Sequence, residues 1–189
     1  MRPLTVAVFC ASSLPHDKLV VEVAEHLGRW LAGEGHTLVY GGSNLGLMGS
    51  VSGAALEAGG KVVGVIPTLF SEEVILSQPV TQLMRVASMA ERKEKIIGMC
   101  DVFIALPGGI GTIDEVSEVM VYNQLNMIGD RFANGTGKEK PMILLNIGGF
   151  YDDFIRQVDR SRQEGLLRAS CGLHCFDTLA DMVAFLEKE

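Results

Sequence analysis

The sequence has no lysine or arginine cluster, and its formal net charge is −7. It offers no basic footprint for DNA or RNA, so a nucleic-acid partner is not expected. It has no apolar run of the roughly 20 residues needed to cross a bilayer. No signal-peptide pattern follows Met1-Arg2-Pro3, and no membrane partner is expected. The four cysteines, Cys10, Cys100, Cys171 and Cys175, are too scattered for a disulfide framework, which points to a reducing, cytoplasmic setting. Residues 10–15 follow the first strand-like run and contain no glycine. The dinucleotide fingerprint is therefore absent, and NAD and FAD are not expected. No serine sits in a nucleophile-elbow sequence. Cys171, His174 and Cys175 lie close together, but no second cluster completes a zinc site, so no metal is expected. His16, His26 and His36 read as surface or loop residues.

What is present reads as one compact domain over residues 1–189, with 48% hydrophobic residues to build a core. Short apolar runs at 5–10, 36–40, 61–66, 101–106 and 141–146 predict five strands. Leu19, Val20, Val23, Ala24, Leu27 and Leu31 recur at helical spacing, as do Met48, Val51, Ala55 and Ala58. Further helices are predicted over 89–100, 113–128 and 151–163, and Asp177 is the expected N-cap of a last one. The strands are continuous apolar runs, so both faces of the sheet must be covered. That implies an α/β fold: a single-domain, Rossmann-like, doubly wound parallel sheet with flanking helices. Ligands in such sheets bind at the carboxyl ends of the strands. Residues 129–140 form a polar, glycine-rich stretch expected to be a mobile loop.

Two glycine-rich turns fall at predicted carboxyl ends, residues 41–49 and Pro107-Gly108-Gly109-Ile110-Gly111-Thr112. One such turn is ordinary connection chemistry. Two, one of them delivering Gly-Thr to a helix start, favour a phosphate held by free helical amides. Ser12 and Gly42 occupy similar carboxyl-end positions. Arg92 and Lys93 sit three and four residues after Met89, on the stripe of Met89, Ile96, Ile97 and Cys100. Snorkelling at the stripe's edge is the plain explanation. A cleft cation that needs an anion, such as a ligand phosphate, is the reading carried forward. Glu115 and Glu118 are one turn apart on a helix whose Val116, Val119, Met120 and Val121 suggest deep burial. Carboxylates there either pair with Arg92 or Lys93 or meet ligand hydroxyls.

Met89-Ala90-Glu91-Arg92-Lys93 followed by residues 107–115 resembles the paired signature of the Lonely Guy family. These are cytokinin riboside 5′-monophosphate phosphoribohydrolases, long mislabelled as lysine decarboxylases. The likeness extends through residues 9–13, 40–49, 61–67, 140–146 and 149–152. It implies hydrolysis of the N-glycosidic bond of a purine-type nucleoside 5′-monophosphate, AMP or a cytokinin riboside 5′-monophosphate. The products would be free base and ribose 5-phosphate, with no metal or organic cofactor. It implies a homodimer or larger assembly with sites near the dimer interface. By resemblance, Arg92 and Glu115 are catalytic, and Glu73, Met89, Lys93, Gly108, Gly109, Ile110, Gly111 and Thr112 bind substrate. Ala11 and Ser43 stand where the family has glycine, and Tyr122 where it has tryptophan; Gln124 is kept. The rival reading is a non-catalytic nucleotide-binding or carrier protein on the same fold. A pyridoxal-dependent decarboxylase would need a committed lysine, and none stands out beyond Lys93.

Overall fold

The computed structural model describes residues 2–70, 80–128, 139–167 and 170–188; Glu73 and residues 129–138 lie outside the described residues. The strands are β1 (Thr5–Phe9), β2 (Thr37–Tyr40), β3 (Lys61–Pro67), β4 (Gln82–Val86), β5 (Val102–Ala105), β6 (Met142–Leu145) and β7 (Leu173–Phe176). The helices are α1 (Lys18–Gly33), α2 (Gly46–Glu57), α3 (Met89–Met99), α4 (Ile110–Ile128), α5 (Asp152–Gln163) and α6 (Leu179–Leu186). The strands form one sheet in the order β4-β3-β2-β1-β5-β6-β7, and every neighbouring pair is parallel. From central β1 the chain winds outward to β4, then returns to β5 on the other side of β1. The order reverses between β1 and β5, and the crevice above their carboxyl ends is where such sheets hold ligands.

Alternate side chains of each strand serve opposite layers. Val6, Val8, Leu38, Tyr40 and Ile104 pack with α1, α2 and α6. Ala7, Phe9, Val39, Val65 and Phe103 pack with α3, α4 and α5. Both faces of the central strands are covered, which is why they read as unbroken apolar runs. Among the described residues, no helix is long and apolar enough to cross a membrane.

The structure adds two strands to the five predicted. β4 and β7 are the edges of the sheet, and their side chains are only partly buried apart from Val86. An edge strand needs no continuous apolar run, so Gln82, Arg85 and His174 are tolerated there. Of the residues considered for zinc, His174 and Cys175 lie on this β7 and Cys171 just before it; His174 lies against the Phe185 ring at 4.5 Å. The last helix is capped by Thr178, whose Oγ1 accepts the Asp181 amide at 3.1 Å; Asp177 instead accepts from Asn146 Nδ2 at 3.3 Å. His36 is not at the surface: it is buried, accepts the Leu4 amide on Nδ1 at 3.1 Å, and meets Trp30 edge-on. Helix α4 starts three residues earlier than periodicity suggests, and its Val121 is exposed rather than buried.

Candidate active site

Two helix starts and three carboxyl-end loops assemble the site. At the start of α3, Ser88 Oγ accepts the Glu91 amide at 3.1 Å, and Glu91 Oε2 accepts the Ala87 amide at 2.7 Å. This reciprocal capping box fixes the first turn. Met89 and Arg92 then share one face, with Arg92 Nη1 3.8 Å from Met89 Sδ. At the other side, the buried Tyr151 hydroxyl donates to the Leu106 carbonyl at 2.6 Å, anchoring the chain just before Pro107. The Thr112 and Ile113 amides both donate to the Gly109 carbonyl, at 3.0 and 3.1 Å. The amides ahead of them, on Gly109, Ile110 and Gly111, have no acceptor within the helix, and these residues are exposed. The helix dipole makes that end positive. Gly108 has no room for a Cβ, which would collide with the Thr112 side chain, so the turn closes directly onto the helix.

Between these elements lies a cavity of about 450 Å³, a size typical of small-molecule sites. Cys10, Ala11 and Ser12 line it from the β1 end, Gly41 and Ser43 from the β2 end, and Ile66 and Phe70 from the β3 end. Leu45 and Met48 add apolar surface from α2 and the turn before it. Met89, Arg92, Gly109, Ile110, Gly111, Thr112 and Glu115 complete the lining.

Arg92 Nη2 stands 2.8 Å from Glu115 Oε1, and the two side chains are only 11% and 7% exposed. The contact is close but not aligned as a hydrogen bond: Glu115 Oε1 and Arg92 Nε both lack a hydrogen-bond partner. Buried polar groups left this way are costly, and they are ready to take a ligand's donor and acceptor. Burial pushes the Glu115 carboxyl up to about 7; Arg92 pulls against the rise, the neighbouring Asp114 carboxylate adds to it, and Lys93 opposes it. A carboxyl poised there suits proton transfer or charge stabilisation near neutral pH. Burial also pushes the Cys10 thiol up, so Cys10 is an uncharged part of the lining and not a nucleophile.

Of the residues singled out in the sequence, Ser12, Met89, Arg92, Gly109, Ile110, Gly111, Thr112 and Glu115 meet at the cavity. Gly108 and Gly42 support it from behind: Gly108 packs on Thr112, and Gly42 packs on Ile66 at a positive φ of 81°. Lys93 and Glu118 do not line it. Lys93 Nζ bonds Asp114 Oδ1 and Oδ2 at 3.0 and 2.9 Å and Glu118 Oε2 at 3.0 Å, on the seam between α3 and α4. Helical spacing alone puts Arg92 and Lys93 on one stripe, but their long side chains diverge to different partners.

Sequence reasoning passes over Gly41. A Cβ there would collide with the Arg92 guanidinium and the Met48 sulfur, so glycine is what lets Arg92 lie against the β2 loop. No spacing in the sequence links residues 41 and 92; only the position directly after a strand could have flagged it. Gly41→Ala is expected to push Arg92 off Glu115 and lower turnover by ~10-fold or more, the scale of small misplacements in a site. Kinetics and a thermal melt on one preparation check this; unaltered turnover contradicts it.

A family model described as a possible lysine decarboxylase matches residues 48–187. A protein of Oryza sativa subsp. japonica named as a probable cytokinin riboside 5′-monophosphate phosphoribohydrolase is 37% identical over 183 residues, which is 97% of this chain and 76% of that one. The chain belongs to the Lonely Guy family. A second rice member, named a cytokinin riboside 5′-monophosphate phosphoribohydrolase, is 38% identical over 86% of this chain; the match spans only 63% of that member's length. Both Arg92 and Glu115 lie inside the stretch that the family model matches. The fold is also shared with a solved molybdenum cofactor binding protein from Rippkaea orientalis, with TM-score 0.71 and 22% identity over 100% of this chain and 98% of that one. At that identity the likeness concerns the fold.

Proposed function

We propose that this Lonely Guy member hydrolyses the N-glycosidic bond of a purine nucleoside 5′-monophosphate, AMP or a cytokinin riboside 5′-monophosphate. The observation that carries this reading is the buried Arg92–Glu115 pair opening onto a cavity also lined by Gly109, Ile110 and Gly111, whose amides have no acceptor within the helix. Those amides seat the 5′-phosphate. Breaking the bond between ribose and base builds positive charge on the sugar. Glu115, with Oε1 free of donors, meets that charge, holds a ribose hydroxyl or takes a proton from the attacking water. Arg92 orients the nucleotide through its charged donors. Water adds across the broken bond: the hydroxyl ends on ribose 5-phosphate, and the proton leaves with the base. The names of the rice relatives support this chemistry. A pure binder would use the glycine turn without needing a buried carboxylate beside it.

Among the described residues no lysine lines the cavity, and the Lys93 ammonium is already bound to carboxylates. The site does not fit pyridoxal phosphate, which requires a free lysine for its Schiff base. A homodimer or larger assembly is part of the proposal. Val121 and Leu125, one turn apart on α4 and 52% and 49% exposed, supply an apolar face for a second copy. Sedimentation of the purified chain tests this.

Meeting the sugar's charge and taking a proton from water both need Glu115 in its charged form, and its value near 7 lies above the ordinary carboxylate range. Accordingly kcat/KM should fall about tenfold per pH unit below that value and level off above it. A profile that is flat across neutral and mildly acidic pH contradicts the assignment. The direct assay is chromatography for free base after incubation with a purine nucleotide.

A further inference from the structure

The peptide between Leu106 and Pro107 joins β5 to the turn at the start of α4. Proline has no N–H, so this peptide has a single hydrogen-bonding group, the Leu106 carbonyl. Leu106 is fully buried, and the donor its carbonyl meets among the described residues is the Tyr151 hydroxyl, at 2.6 Å. The Leu106 amide donates in turn to the Phe9 carbonyl at 2.9 Å, at the exit of β1. Leu106 is thus pinned on both sides. The next two residues, Gly108 and Gly109, have the most permissive backbone available. Past them the chain is held again, where Thr112 packs on Gly108. A glycine turn keeps one shape only while both of its ends are fixed. Freeing the Leu106 carbonyl lets the turn swing its amides away from the cavity.

Tyr151 is itself held in place. It is buried just before α5, and its amide donates to Asn146 Oδ1 at 2.7 Å. Asn146 Nδ2 donates onward to Asp152 Oδ1 at 2.8 Å. The ring packs in the same core as Phe9, Ala105 and Val116. Burial pushes the hydroxyl up, and Cys10 and Glu115 add to the rise, so it remains a protonated donor. Those two residues line the cavity, whereas Tyr151 does not; it lies beneath them. Packing asks only for the ring, which phenylalanine would supply equally. The oxygen serves the Leu106 carbonyl.

We propose that Tyr151 is a positioning residue for phosphate recognition: its hydroxyl fixes the Leu106 peptide and so aims the amides of Gly109, Ile110 and Gly111 at the 5′-phosphate. It touches neither the nucleotide nor the reacting atoms. The inference rests on the hydrolase reading above, and on the place that reading gives the phosphate.

The test compares Tyr151→Phe with the parent on AMP and on adenosine. The variant should lose about tenfold or more in kcat/KM for AMP, chiefly through a higher KM, the scale of one lost hydrogen bond to a charged group. Its kcat/KM for adenosine, which has no phosphate to seat, should stay within about threefold of the parent's. The preference for AMP over adenosine therefore shrinks about tenfold. That ratio does not depend on the fraction of protein that is folded. A merely structural hydroxyl would lower the melting temperature and leave the ratio unchanged. An unchanged ratio overturns the proposal, whether the kinetics are parent-like or both substrates suffer equally. If Tyr151→Phe does not fold, Asn146→Ala takes its place. It keeps the hydroxyl but removes the acceptor that holds the Tyr151 amide, and the same shrinkage or constancy of the ratio decides. A parent with no preference for AMP would leave the turn no phosphate to hold, and overturns the proposal too. If the parent releases no base at all, the hydrolase reading fails separately. Calorimetric affinities for AMP and adenosine then decide: a ratio that narrows about tenfold in Tyr151→Phe upholds the positioning role, and an unaltered one removes it.

Discussion

Glu115→Gln should lower kcat by at least ~10² while nucleotide still binds, the scale of losing a general base or a charge stabiliser. The substitution keeps the shape of a side chain that is buried at the cavity and removes only its charge. Arg92→Ala should harm both turnover and binding, since a guanidinium meets the bound nucleotide in its ground state too. A purely structural pair makes a different forecast: a lower melting temperature with activity per molecule near normal. The pH dependence of stability gives a second discriminator. The carboxyl is raised from 4.5 to about 7 in the folded chain, mainly by burial. The unfolded chain therefore gives up this proton first, and the stability held by the protonated form is lost as pH rises through the folded value. Gln does not titrate, so the melting temperature of the parent relative to Glu115→Gln should decline from mildly acidic to mildly alkaline pH. A relative gain over that range would mean that Arg92 holds the carboxylate charged, and that burial is the lesser effect.

Removing the 5′-phosphate from the substrate should be as damaging. Hydrogen bonds to a charged group contribute about 1.5–3 kcal/mol each, so two lost amide contacts correspond to about 10²–10⁴ in kcat/KM. Adenosine should accordingly be a far poorer substrate than AMP. The donors proposed for the phosphate are backbone groups of Gly109, Ile110 and Gly111, which side-chain replacement leaves in place. Comparing substrates is therefore cleaner than mutating the turn. Equal efficiency on nucleoside and nucleotide would remove the phosphate from the start of α4.

The centre of the sheet and the place of Arg92 at its carboxyl edge were legible in the sequence for the same reason. Strands such as β1 and β5 are covered on both faces, so burial forces an unbroken apolar run. Arg92 stands out because it interrupts an apolar stripe, and it is indeed among the least exposed arginine side chains of the ion pairs, at 11%. The edge strands were not legible, because β4 and β7 leave side chains to solvent and carry little pattern. Nor was the split between Arg92 and Lys93. Adjacent positions on one helix point about 100° apart, and which neighbour each reaches depends on how α4 is laid against α3. Gly41 shows the same limit, since its importance comes from a guanidinium that arrives from a distant helix. His36 was misplaced because a histidine in a short polar stretch gives no sign that it will accept the Leu4 amide in the interior.

Whether Arg92 and Glu115 cut the bond between ribose and base is decided by one assay. The purified chain is incubated without added metal with a panel of purine nucleoside 5′-monophosphates, including AMP and an N6-substituted analogue. Products are separated by chromatography, with an active family member run alongside. Equal amounts of free base and ribose 5-phosphate are expected from at least one nucleotide, with release abolished in Glu115→Gln. Nucleotide binding without base release from any member of the panel would contradict it and leave a carrier on the same fold.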